Sequence, residues 1–150
     1  MHSQPLRSGE SDRTLFQTML HELARTYQAF ANYSDSYVRQ LGLTPPQFDV
    51  IITLGNTSGL SMNRLGEQTL VTKGTLTGII DRLEQKSLVR RMVPQGNRRS
   101  FTVVLTPHGE ELFREVYPAY VAHLGERFQN LSPTELETIR LALTKLRELF

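Results

Sequence analysis

The chain has 150 residues, the size of one ordinary domain around a single core, without room for a second catalytic lobe. Its 39% hydrophobic and 21% charged residues exclude a disordered tail, and no run approaches the roughly 18 apolar residues of a membrane span. Cysteine is absent, which removes disulfides, thiolate catalysis and cysteine-ligated metal together.

The opening residues MHSQPLRSGE lack the apolar stretch of a secretory signal, so the expected location is cytoplasmic. The net charge of +2 says little, but its distribution says more. Between Thr72 and Arg99 stand Lys73, Arg82, Lys86, Arg90, Arg91, Arg98 and Arg99 against Asp81 and Glu84. That segment carries +5 and the other 122 residues carry −3, the footprint of a surface that meets a polyanion.

Residues 1–11 read as a loose polar tail. From Asp12 to about Gln40, Leu15, Met19, Leu23, Tyr27, Phe30, Ser34, Tyr37 and Leu41 recur at three and four, which predicts one uninterrupted amphipathic helix ended by Gly42. Thr44, Pro45, Pro46 and Gln47 then start a helix through Phe48, Ile51, Ile52 and Leu54 that stops near Gly55 or Gly59. Ser61 can cap a short helix, Met62–Gln68, and Thr72 can cap the next, where Leu76, Ile79, Ile80 and Leu83 form an inward stripe.

The period then changes to two. Leu88–Val93 and Phe101–Leu105 read as strands joined by the basic tip Pro94, Gln95, Gly96, Asn97, Arg98 and Arg99. Thr106-Pro107 restarts a helix to about Phe128, with Pro118 inside it as an expected kink. Ser132, Pro133 and Glu135 form a capping box before Leu136, Ile139, Leu143, Leu146 and Phe150. Three short helices followed by a hairpin describe a mainly α (α+β) winged helix-turn-helix with long flanking helices.

The helix after Thr72 turns Lys73, Gly74, Thr75, Thr77 and Gly78 outward when its apolar stripe is buried. Each glycine costs about 1 kcal/mol in a helix interior, a cost that close approach to another backbone would explain. Threonines can meet base edges and a thymine methyl, and Lys73 suits a phosphate or a guanine. These residues alone fit a core helix with a tolerant outer face equally well. The hairpin shifts the balance: Arg98 and Arg99 beside Asn97 at the tip, with Arg90 and Arg91 at its base, suit a minor groove or phosphates.

The stretch TKGTLTGIIDRLEQKSLVRRMVPQGNRRSFTVVLTPHGEEL, Thr72–Leu112, resembles the recognition helix, wing and following helix of the multiple antibiotic resistance regulator (MarR) family. Two positions depart from that family: Ser87 replaces a usual glycine, and Asn97 replaces a usual aspartate that orients the wing arginine. The resemblance implies one domain over 12–150, with dimerisation helices 12–41 and 107–150 around a DNA-binding lobe 44–106. It further implies a homodimeric regulator, a repressor by expectation, on a pseudo-palindromic double-stranded operator, released by a small aromatic or phenolic acid. Independently, the end helices carry more apolar surface than a small module covers, so residues 12–30 and 132–150 are expected against a second copy.

DNA contacts are thus expected from Thr72, Lys73, Gly74, Thr75, Thr77, Gly78, Arg90, Arg91, Asn97, Arg98 and Arg99. The family's effector pocket suggests Tyr37, Phe48, Ile52, Phe113 and Tyr117, with Arg39 for a carboxylate, although tyrosines are more often simply core and interface material. His21-Glu22 begins a zinc-protease pattern, but Arg25 stands where its second histidine would be, so no metal is expected. No phosphate-binding glycine loop or nucleophile elbow occurs, so neither an enzyme nor a cofactor is expected. The competing reading is a winged helix that binds protein without reading DNA, and salt-dependent duplex binding separates the two.

Overall fold

The computed structural model describes residues 9–93 and 100–150, which form six α-helices and three short strands. The chain divides into two compact units, residues 1–45 and 46–150.

The first unit is dominated by α1 (Glu10–Gln40), 31 residues and so about 46 Å long. It starts two residues before the expected Asp12, because Glu10 and Asp12 both suit the positive end of the helix dipole. Gly42, at φ +83°, ends it as expected. Ser34 and Val38 are buried, yet Leu15, Met19, Tyr27 and Phe30 on the apolar stripe stay 38–69% exposed.

The second unit runs α2 (Pro45–Leu54), β1 (Leu60–Ser61), α3 (Met62–Gln68), α4 (Lys73–Gln85), β2 (Val89–Met92), β3 (Thr102–Leu105), α5 (Pro107–Arg127) and α6 (Pro133–Arg147). The caps explain the starts. Ser61 accepts from the Arg64 N–H, Thr106 accepts from the Gly109 N–H, and Ser132 and Glu135 complete a reciprocal capping box. Thr72 has the extended backbone of an N-cap but makes no side-chain cap, which corrects the expectation for its hydroxyl.

The sheet is antiparallel in the order β1-β3-β2, with Arg91 opposite Val103 and Leu60 also opposite Val103 on the other side. Strand β1 was not foreseen: two residues show no periodicity, and Ser61 is also the cap of α3. Gly59, at φ +114°, brings the chain into β1 against Val104. Leu65, Leu76, Ile80, Leu83, Leu88, Val89 and Val103 form the dry centre beneath sheet and helices, together with Phe48, Ile51 and Leu54 of α2. Truncating one such residue to alanine costs roughly 2–5 kcal/mol.

Helix α5 continues through Pro118. Near its start, a Cβ on Gly109 would overlap the Leu88 carbonyl, so glycine permits the close approach of α5 to the entry of β2. Helix α6 has no buried residue, and Leu136, Ile139 and Leu143 are 41–56% exposed. Among the described residues no helix is long and apolar enough to cross a membrane.

Candidate nucleic-acid interface

Helix α4 buries Leu76, Ile79, Ile80 and Leu83 and thereby fixes which side chains face out. Lys73, Gly74, Thr75, Thr77 and Gly78 are all exposed. A Cβ built on Gly74 or Gly78 would meet nothing within 4 Å, so neither glycine is needed for packing inside the chain. Both keep their conformational cost with no packing gain among the described residues. Arg82 lies one turn beyond Gly78 on the same ridge and is exposed, making no ion pair among the described residues. Sequence reasoning left it out of the surface, though its i+4 spacing from Gly78 was the available signal.

The start of α4 is held from two sides. The Thr75 hydroxyl donates to the Thr72 carbonyl at 3.0 Å, and the Thr72 and Thr75 hydroxyls are 2.9 Å apart. Thr77 is exposed and makes no such internal bond among the described residues. The Leu70 N–H donates to the Asp49 carboxylate at 2.7 Å, tying the turn before α4 to α2. Burial raises the Asp49 pKa above its ordinary value, and the Leu70 bond partly opposes that. Nothing local marks Asp49 in the sequence, because its partner is a backbone group 21 residues away.

The two arginines of β2 part company. Arg90 is exposed. Arg91 instead bonds Asp81 at 2.7 Å and also pairs with Glu84, while its guanidinium lies 5.4 Å from the Phe101 ring centroid. Asp81 and Glu84 both pair with Arg91, and neither pairs with Arg82 among the described residues. Asn97, Arg98 and Arg99 lie outside the described residues.

The suggested effector residues fall in both units. Tyr37 and Arg39 stand on α1. In the second unit Phe48 packs against Tyr120 at 4.7 Å, and Phe113 stacks on Tyr117 at 5.5 Å, while Ile52 is half-buried. Phe113 lies directly over Gly55, where any Cβ would overlap the ring. Among the described residues no group of three or more histidines and acids could hold a metal ion.

The MarR family model matches residues 43–101, from the end of the first unit through β2 to the start of β3. The uncharacterized HTH-type transcriptional regulator YfiV of Bacillus subtilis is 30% identical over 107 residues, covering 71% of this chain and 67% of YfiV. The crystal structure of AbsC, a MarR family transcriptional regulator from Streptomyces coelicolor, superposes with a TM-score of 0.76 at 27% identity, covering 94% of this chain and 95% of AbsC. BpsR of Bordetella bronchiseptica, whose DNA binding is regulated by 6-hydroxynicotinic acid, gives 0.76 at 28% identity over 87% of this chain and 98% of its own. With the helix-turn-helix, its outward glycines and the basic strand already in place, the chain belongs to the MarR family of DNA-binding transcriptional regulators.

Proposed function

We propose that two copies of this chain bind one pseudo-palindromic duplex, with α4 in the major groove and the β2–β3 wing against the flanking backbone, and that this binding represses transcription. The observation that carries the reading is the bare outer face of α4, where Gly74 and Gly78 have open space beyond them. A helix entering a groove some 12 Å wide needs small residues there, and Thr77 beside them can read a base edge. Lys73, Arg82 and Arg90 supply the phosphate contacts, with Arg98 and Arg99 assigned to the wing tip from sequence. Thr72 and Thr75 then act by fixing the first turn of the helix. The acting compartment is the cytoplasm, where the duplex is.

The uncovered apolar faces of α1 and α6 support the dimer. A 15-residue helix with no buried side chain is marginal in water on its own. A second copy covering these faces would complete a core for both and bring two recognition helices about 34 Å apart.

The effector of BpsR favours a small aromatic acid as the releasing ligand here. Phe48, Ile52, Phe113 and Tyr117 offer apolar and ring surface for such a molecule. A ligand that binds one conformer better would shift the dimer away from the DNA-competent state. Salicylate and 6-hydroxynicotinic acid are therefore expected to raise thermal stability and weaken operator binding, and the effector reading fails if both leave both unchanged. The DNA reading is tested by fluorescence anisotropy on a selected duplex and on random DNA between low and high salt. Specific binding with a steep salt slope supports it, and absent or salt-independent binding refutes it.

A further inference from the structure

We infer that Arg91 is a positioning residue that locks the wing to the recognition helix and is not itself a phosphate contact. This rests on the reading of α4 and the wing as the DNA-binding surface. Three groups converge on one guanidinium: Asp81 at 2.7 Å from Nη2, Glu84 at Nη1, and the Phe101 ring beneath it. Both carboxylates come from α4, three residues apart and so on one face, whereas Arg91 comes from β2 and Phe101 immediately precedes β3. One side chain thus joins the recognition helix to both strands of the hairpin. Arginine is required for this, because its rigid fork reaches two separate carboxylates while its plane lies on a ring, which a lysine ammonium cannot do.

Charge balance argues the same way. Asp81 and Glu84 are the only acids between Thr72 and Arg99, and with Arg91 they form a group of net charge −1 inside the basic segment. Facing a polyanion, two carboxylates are unfavourable on their own account. Their retention on α4 is explained by what they hold. The Arg91 side chain is 26% exposed, whereas its neighbour Arg90 is exposed and, by strand alternation, on the opposite face of β2. The clamp therefore sets the direction of Arg90 relative to α4 without spending a cation on DNA.

The two roles predict different operator-over-random affinity ratios in one experiment. In the full chain, Asp81→Asn/Glu84→Gln removes two acids and no base. If Arg91 were a phosphate contact restrained by those acids, the double variant would bind operator and random duplex more tightly, with a steeper salt slope and an unchanged ratio. If Arg91 is a clamp, the loss of two acids helps both duplexes alike while the lost aim of Arg90 costs the operator complex, so the operator-over-random affinity ratio falls by about threefold to tenfold. Arg91→Lys keeps the charge and is expected to lower that ratio as the double variant does; a wild-type ratio in Arg91→Lys would overturn the inference. Amide hydrogen exchange on the DNA-free protein supplies a second readout, with faster exchange expected in β2 and β3 of the double variant. Unchanged protection there removes the clamp itself, whereas a wild type that binds no duplex overturns the DNA-binding reading; the two failures are thus told apart.

Discussion

At Ser87 the chain takes a left-handed turn, φ +59°, where an L side chain is strained and glycine is not. The turn is well bonded all the same: the Leu88 N–H donates to the Leu83 carbonyl, and the Thr106 hydroxyl donates to the Ser87 carbonyl at 2.6 Å. Ser87→Gly is therefore expected to stabilise the protein by about 1 kcal/mol, read as a higher urea midpoint at unchanged slope; a lower midpoint would contradict the strain. Asp49 makes the second prediction at this scale. Its folded pKa is raised above the unfolded value, so the folded state binds the proton more tightly. The resulting stability is full below the unfolded pKa near 3.8 and is lost as pH rises through the raised folded value. Asp49→Asn keeps an acceptor for the Leu70 N–H and should flatten that part of the pH–stability curve, whereas Asp49→Ala should lower stability at neutral pH. Equal curves for wild type and Asp49→Asn would show that the carboxyl does not titrate as burial requires.

Helix α4 separates stability from function in a way that a single element can test. Gly74→Ala and Gly78→Ala add a methyl to open space, so each should stabilise the helix by about 0.5–1 kcal/mol. The same methyls are expected to weaken operator binding if, as proposed, the outer face of α4 enters the major groove. Thr77→Ala should cost roughly 1–3 kcal/mol at particular base pairs, while Arg90→Ala should weaken binding to all duplexes and lower the salt slope by about one. Stabilised glycine variants that bind operator like wild type would remove the groove from the account.

The elements were largely legible because their signals are local. Ser61, Thr106 and Ser132 announce helix starts within four residues, and the stripe of α4 fixes its faces. What stayed hidden was long-range. Whether Arg82 or Arg91 pairs with Asp81 and Glu84 depends on how β2 folds back on α4, which no local signal states. Leu60–Ser61 became a strand only because β3 offered an edge to pair with.

At the scale of the whole molecule the proposed dimer rests on the uncovered apolar faces of α1 and α6, and the proposed duplex contact on the charge asymmetry of the sequence. Ile139→Glu and Leu143→Glu place charges on the exposed face of α6 without disturbing any buried residue of the chain. They are expected to halve the mass seen by light scattering at micromolar concentration and to abolish operator binding together. The most direct measurement is a hydroxyl-radical footprint of the wild-type protein on a duplex selected from a random library. Two protected half-sites related by a dyad, centred about 10–10.5 base pairs apart and lost together as salt rises, are the predicted result. A single asymmetric site, or no protection on any selected duplex, would contradict the paired recognition helices on which the account turns.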